Sequence, residues 1–515
     1  MNAGDTPAIR LVGCVALMVG AYAATAPGAS AWQAPSSGTT LLAGATVIDG
    51  TGAPSFHGDV LVRDGRIAAV GESGSIPLPP GAERVDLTGL VLAPGFIDLH
   101  NHSTRGILDQ PAAVTQVSQG ITTLMVGADG SSPWPVGEYL DEVDEARPAV
   151  DVGTLVGHGT VRRAALGDDF RRTASDPEIA DMAERVARGM SEGAFGLSSG
   201  LEYDPGFYSS TGELIALARE AAAAGGFYMS HMRDEEETLI EAVAEAIQIG
   251  REAGLPVQIS HIKAGNASVW GKAGEVLGMI AAANAGGLDV TADQYPYTAW
   301  QSGLAIVVRS RMFQDPDSVA AGIAAIGGGD RLQIVRYRAE PDLNGMRLSE
   351  IAERKGLSEV DAYMLLMRSG GSSVIGHTMS EADVDEFMES RWVMTSSDGG
   401  IGSPHPRGAG TFPRVLGHYV RERGVIGLER AVQRASSMPA RRLGLDDRGV
   451  IRVDARADLV AFDPAIVADR STFADPAVTS VGIETVWVAG VPVWADGATT
   501  GARPGRALRH PRGGG

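Results

Sequence analysis

The chain has 515 residues, enough for one large core and a smaller companion domain. With 44% hydrophobic and 21% charged residues it has the composition of a folded globular protein, which excludes a disordered chain. A net charge of -20 argues against nucleic acid as a partner; it describes a solvated acidic surface without demanding a cationic substrate.

In chain order, Arg10 precedes an apolar run over residues 11–24, and Ala29-Ser-Ala31 supplies small residues around a cleavage point before Trp32. Residues 1–31 are therefore predicted to be a signal peptide, and the protein to be exported, periplasmic or secreted. The run is short for a stable membrane span. Cys14 is the only cysteine. Leu11-Val-Gly-Cys14 has a faint look of a lipid-attachment box, but it precedes most of the apolar run, so simple cleavage is expected. The mature chain would then hold no disulfide and no thiolate ligand.

Residues 36–39 read as a polar linker, and residues 38–92 read as all-β. Val60-Leu-Val-Arg63 and Ile67-Ala-Ala-Val70 alternate around Asp64-Gly65, a hairpin signal. Residues 446–503 repeat this texture, with Asp458-Leu-Val-Ala-Phe462 and Val486-Trp-Val-Ala-Gly-Val-Pro-Val-Trp494 turning at Ala489-Gly490. The two ends together predict a small β-sandwich domain; two unrelated caps are the alternative. Residues 504–515, rich in Gly, Arg and Pro, are predicted to be a loose tail, with Arg503, Arg506, Arg509 and Arg512 in solvent.

Residues 93–445 alternate strand and helix, which implies a parallel sheet. Candidate strands are 95–102, 121–127, 152–158, 194–199, 227–231, 257–261, 288–293 and 392–398, the eight that a closed (β/α)8 TIM-like barrel needs. Thr211 is placed to cap a helix that Gly225 stops, and residues 238–253 form another that Gly254 ends. The interval 300–373 is too long for one connection and predicts a helical insertion over the barrel mouth.

The chemistry is concentrated in Ala93-Pro-Gly-Phe-Ile-Asp-Leu-His-Asn-His102. Side chains two apart on a strand share a face, so an extended end aims His100 and His102 at one point. His231 and His261 each close another apolar run, and Asp398 closes the last. Imidazoles converging with one carboxylate at successive strand ends are the ligands of a hydrolytic metal site. There a cation polarises a carbonyl and activates water, while the carboxylate carries the proton to the leaving nitrogen.

With these stretches the sequence resembles the D-aminoacylase (N-acyl-D-amino-acid deacylase) family of the amidohydrolase superfamily. Further matching segments are Gly120-Ile-Thr-Thr123, Gly196-Leu-Ser-Ser-Gly-Leu-Glu-Tyr203, Ser230-His-Met-Arg233, Gln258-Ile-Ser-His-Ile-Lys263, Ser397-Asp398, His405-Pro-Arg-Gly408 and Gly410-Thr-Phe-Pro413. The resemblance implies a zinc-bearing barrel that hydrolyses the amide of an N-acyl-D-amino acid, with one or two ions per chain. It departs at one place: many members look to carry a cysteine ligand after the second strand, where this chain reads Gly127-Ala-Asp-Gly130. No lysine lies between His102 and His261, which closes off a carboxylated-lysine bridge. Glu202 is then the expected bridge between one ion on His100, His102 and Asp398 and another on His231 and His261; a single ion is the alternative. Asp129 is a further ligand or stands just behind the ligands, and His405 either supports them or orders its own loop.

For substrate, the planar fork of Arg407 suits an α-carboxylate, with a loop salt bridge as the alternative. Tyr203 and Lys263 adjoin ligands and could assist, as residues at these places look to do in the family. His158 is a candidate mouth residue, and His377 is either another or a packed core imidazole. Catalysis is assigned to Asp398. A dipeptidase or cyclic-amide hydrolase on the same scaffold is the enzymatic alternative. A barrel that has lost catalysis, or a sugar-binding barrel without metal, is the alternative outside enzymes.

Overall fold

The computed structural model describes residues 38–511. The predicted signal peptide, Cys14 and Arg512 lie outside the described residues. Among those described, no helix is long and apolar enough to cross a membrane.

All eight barrel strands are present: Phe96–Asp98, Ile121–Val126, Asp151–Thr154 continued by Val156–Gly157, Gly196–Gly200, Phe227–His231, Val257–Ile259, Val290–Gln294 and Val393–Thr395. Neighbouring strands pair in parallel. The first and last strands meet through side chains and loop backbone. Asp98 accepts from the Ser397 amide and hydroxyl, the Asp398 amide donates to the His100 carbonyl, and the His102 amide donates to Gly399. The barrel interior is filled by Leu99, Met125, Leu155, Phe195, Met229 and Met394, so it is a packed core and not a pore.

Connecting helices follow their sequence signals closely. The helix Thr211–Ala223 starts one residue earlier than predicted in its capping: the Ser210 side chain, not Thr211, accepts the Glu213 amide at 3.1 Å. Leu239–Ala253 ends at Gly254, whose φ of 75° only glycine adopts easily.

The two chain ends build one hydrogen-bonded nine-stranded sheet, a single small β domain and not two unrelated caps. Leu459–Phe462 lies antiparallel to Val91–Pro94, which joins the C-terminal strands to the N-terminal ones. Strand Thr39–Val47 shifts register between Leu42 and Ala45; it pairs with Glu83–Asp86 before the shift and with Val91–Pro94 after it. One strand therefore serves both halves of the sheet, a hydrogen-bond arrangement that alternation patterns do not report.

Two expectations are corrected. The insertion after the seventh barrel strand is not purely helical. Trp300–Gly303, Leu332–Val335 and Ser373–Gly376 form a small antiparallel sheet beside its helices, around a core that includes Leu332, Ile334, Ile351, Tyr363 and Val374. The described part of the tail, up to residue 511, is not loose either. Arg506 accepts from the Val152 amide, Leu508 donates back to Val152 at 2.7 Å, and the Leu508 side chain is buried in the barrel interior. The third barrel strand is broken at Leu155, and its first half lends an edge that the tail fills. Arg509 pairs with Asp141 and Asp144 instead of standing free.

Candidate metal centre

The predicted histidines and carboxylates converge at the C-terminal rim of the barrel. His231 is the last residue of its strand; His100, Asp129, Glu202, His261 and Asp398 lie one to three residues beyond theirs. Asp129, His261 and Asp398 have φ of 53°, 31° and 45°. Non-glycine residues rarely adopt such angles, and each costs on the order of 1 kcal/mol or more. The backbone thus turns these side chains inward after the strands have ended.

His102 Nε2 lies 3.0 Å from Asp398 Oδ1, and His100 Nε2 lies 3.5 Å from the same oxygen. The His231 and His261 rings face each other with Nδ1 and Nε2 2.8 Å apart. Asp129 stands between the two pairs: one oxygen is 3.3 Å from His100 Nε2, the other 3.4 Å from His102 Nε2 and 3.5 Å from His261 Nε2. Glu202 is 3.0 Å from His231 Nε2, and no contact with His100 or His102 is recorded for it. Asp129 thus stands between the two histidine pairs, and Glu202 flanks one of them. The sequence order of the two carboxylates does not reveal this, because it depends on which turn after a strand folds over the barrel axis.

Two further carboxylates were missed. Asp293 is the last residue but one of the seventh strand; it accepts the His261 amide at 2.9 Å and lies 3.3 Å from His100 Nδ1. Its position at a strand end was a usable signal. Glu235 lies 2.9 Å from His261 Nδ1 and pairs with Lys263 Nζ at 2.6 Å. Its only cue was its place four residues after His231.

Charge and burial show that this donor set suits a cation. Asp398 is paired with Arg407 at 2.7 Å and Glu235 with Lys263, which leaves Asp129, Glu202 and Asp293 with no Lys or Arg partner among the described residues. Both ring nitrogens of His100 and Asp129 Oδ1 are buried with no hydrogen bond of good geometry. Unpaired buried charge is costly and calls for a compensating ion. The histidines report the same negative field. Burial and Lys263 oppose protonation of His261, yet Glu235, Asp398 and Asp129 outweigh them and lift it to about 9. Burial also resists protonation of His100, but Asp129 and Asp398 raise it well above the usual range. Oxygen and imidazole donors without sulfur suit zinc or a harder divalent ion.

Around these groups lies a cavity of about 790 Å³, closed on one side by the insertion. Tyr203 packs on His231 with ring centroids 4.3 Å apart, and its hydroxyl is 3.4 Å from Ser302 of the insertion. Burial, then Asp129 and Glu202, hold its phenol well above the usual range, so it stays protonated as a donor. Arg407 lies over Tyr295 at 4.5 Å, and its Nε is buried without a partner. Its salt bridge to Asp398 thus leaves one donor unspent. His405 touches none of the histidines or carboxylates of the centre in the recorded hydrogen bonds. It accepts the Arg407 amide at 3.0 Å and bonds the Ala299 carbonyl at 3.0 Å, so it orders the loop that carries Arg407. Burial and Arg407 hold it neutral, well below its ordinary value. His158 and His377 are not at the mouth in the sense expected. His158 is buried against Glu213 at 2.8 Å, and His377 lies in the insertion 3.2 Å from Gln333.

Comparison with known proteins agrees with this geometry. Residues 83–326 and 316–494 match the amidohydrolase family. A D-aminoacylase of Alcaligenes xylosoxydans xylosoxydans is 38% identical over 91% of this chain and 97% of its own length. A solved D-aminoacylase studied for its binuclear metal centre superposes with a TM-score of 0.82 at 37% identity, covering 91% of this chain and 99% of that one. An N-acyl-D-glutamate deacylase of Bordetella bronchiseptica, solved with zinc and a phosphonate mimic of the tetrahedral intermediate, does so with a TM-score of 0.82 at 35% identity, again covering 91% and 99%. On fold, rim chemistry and similarity over nearly its whole length, this chain belongs to the amidohydrolase family.

Proposed function

We propose that this protein is a metal-dependent hydrolase that cleaves the amide bond of N-acyl-D-amino acids to a carboxylate and a D-amino acid. The observation that carries the reading is the position of Asp398. It is within 3.5 Å of His100 and His102, salt-bridged to Arg407, and open to the cavity. His100, His102 and Asp398 would hold one divalent ion, and His231 and His261 with Glu202 or Glu235 a second. Asp129 would be shared, and zinc is the expected metal. Bound there, the metal would polarise the scissile carbonyl and lower the pKa of water.

The residues of the chain supply the rest. Burial opposes ionisation of Asp398, but Arg407, His261 and His100 hold its carboxyl well below the usual range. It is therefore ionised, and as the weak base that so low a pKa makes it, it would accept a proton only from a water itself made acidic. As the carbon–nitrogen bond breaks it returns that proton to the departing amine. The free Nε of Arg407 and the Lys263 ammonium would take the α-carboxylate, and the protonated Tyr203 would donate to the substrate from the His231 side. His405 positions Arg407 through its backbone amide.

The deciding experiment is a hydrolysis panel of N-acetyl-D- and N-acetyl-L-amino acids with D-dipeptides and a hydantoin, using metal-loaded and chelated protein. Hydrolysis of the D-substrates, abolished by chelation and restored by zinc, is expected. A uniform L-preference, or activity confined to dipeptides or rings, would overturn the reading. Export rests on residues 1–31 alone. Mass spectrometry of protein made in a secreting host should find Trp32 at the amino terminus, and a retained leader would refute it.

A further inference from the structure

One cluster of buried charge stands behind the centre and takes no part in the proposed reaction. His158, Arg162 and Glu213 are fully buried, and none of them lines the cavity. Arg162 Nη1 donates to both Glu213 oxygens, at 2.6 and 2.5 Å, and His158 Nε2 lies 2.8 Å from Glu213 Oε1. Glu213 is the third residue of helix Thr211–Ala223 behind its cap Ser210. That is the spacing of a capping box, in which the glutamate reaches back to the cap amide. Here the carboxylate turns to Arg162 and His158 instead. Desolvation consumes much of what a buried ion pair gains, so stability alone is a weak reason to keep one.

The remaining donors of Arg162 show what the pair holds in place. Nε donates to the Pro205 carbonyl at 3.2 Å, and Nη2 to the carbonyls of Tyr208 at 3.4 Å, Phe170 at 3.3 Å and Arg172 at 2.5 Å. Pro205 and Tyr208 belong to residues 201–210, which join strand Gly196–Gly200 to helix Thr211–Ala223 and carry Glu202 and Tyr203. Glu202 bonds His231 at 3.0 Å, and the Tyr203 ring packs on His231. The first turn of helix His158–Leu166, which bears Arg162, also meets the loop of Asp129. The Thr160 amide donates to the Gly130 carbonyl at 3.1 Å, and Thr160 Oγ1 accepts the Ser132 amide at 2.9 Å. Gly159 permits this approach: a Cβ there would lie 2.9 Å from the Gly130 carbonyl and 3.3 Å from Pro205 Cδ. The start of the helix is thus wedged between the two loops that carry Asp129 and Glu202.

We propose that Arg162, anchored by Glu213 and His158, is a positioning residue: it holds residues 201–210 so that Glu202 and Tyr203 stand against His231, and it thereby tunes the metal site on that side without touching metal or substrate. The proposal rests on the metal-dependent reading above. A guanidinium suits the task because its five donors, fixed in one plane, reach a carboxylate and several carbonyls at once; an ammonium, with three donors at a single point, cannot hold the same set.

Arg162→Met alone would strand the Glu213 charge in the interior. The working variants are therefore Arg162→Lys and the pair Arg162→Met with Glu213→Gln, which leaves the interior neutral. Metal affinity is read by dialysis against graded chelator, alongside the melting curve, in the natural background and in Glu202→Ala. The ion at His231 is the one that Glu202→Ala weakens. Both variants should melt cooperatively, bind that ion about tenfold more weakly or worse, and leave an ion at His100 and His102 within about threefold of its natural affinity. In the Glu202→Ala background the same changes should cost no more than about threefold, because the group they position is gone. A lower melting temperature with unchanged metal affinity, an equal loss at both ions, a full further loss in Glu202→Ala, or no ion weakened by Glu202→Ala overturns the proposal. Should the paired variant not fold, Arg162→Lys decides by the same outcomes; failure of both to fold overturns the proposal too, because the cluster is then a requirement of the fold. The readout needs no hydrolysable substrate, so a failed deacylase panel leaves this result intact.

Discussion

Replacing Asp129 by alanine tests the shared carboxylate directly. Its two oxygens lie 3.3 to 3.5 Å from His100, His102 and His261, so a cation held by either histidine pair would feel its charge. At such a separation one unit of charge on each partner is worth about 5 kcal/mol at an effective dielectric of 20. The variant also escapes the several kcal/mol needed to bury that carboxylate, which offsets part of the loss. A net weakening of about 3 kcal/mol remains, roughly a hundredfold in metal affinity. The assay is metal content after dialysis against graded chelator, with manganese electron paramagnetic resonance to report coupling between two ions. Asp129→Ala should weaken both sites and remove any coupling. Glu202→Ala should weaken only the site at His231. Asp129→Cys should restore zinc but not manganese, because a thiolate is the softer donor. Unchanged metal affinity and coupling in Asp129→Ala, with the loss appearing in Glu202→Ala, would refute the shared position and reinstate Glu202 as the bridge.

Three other outcomes follow from named contacts. Asp398→Asn should cut kcat by about a hundredfold or more and make the proton-transfer limb of the pH profile disappear, while substrate KM moves little; a kcat within a few-fold of the natural value would remove Asp398 from its assigned role. Burial, with Arg347 and Arg331, lowers His377 to about 4, below its unfolded value near 6.5. The unfolded chain therefore binds the extra proton first. The stability His377 contributes is complete above pH 6.5 and is lost as pH falls to 4, at most about 3 kcal/mol before solvent screening reduces it. His377→Gln should flatten the melting curve over that window, and identical slopes would contradict the argument. Removing residues 504–515 deletes the backbone bonds to Val152 and the buried Leu508, so the melting temperature should drop by several degrees; an unchanged melting temperature would mean the tail holds nothing in place.

Much was legible in the chain because local rules agreed. Most barrel strands are short apolar runs ended by polar residues, and the helices Thr211–Ala223 and Leu239–Ala253 stop just before Gly225 and Gly254. Asp64-Gly65 and Ala489-Gly490 turn with positive φ at both positions, as two-residue hairpin turns require. The rim histidines could be listed for the same reason: in a parallel barrel every strand end faces the same mouth, so His100, His102, His231 and His261 needed only a strand assignment to be placed together.

What the tertiary structure alone decided is where side chains point once regular structure has stopped. Asp129 and Glu202 both follow strands, and no pattern in the sequence distinguishes the carboxylate that lies between the histidine pairs from the one that flanks them. The choice is made by left-handed turns at Asp129, His261 and Asp398, conformations set by packing across the rim. The docking of residues 505–508 along Asp151–Thr154 is of the same kind. Backbone groups pair without regard to side-chain identity, so the need arises from an open strand edge far away in the chain, and composition carries no trace of it.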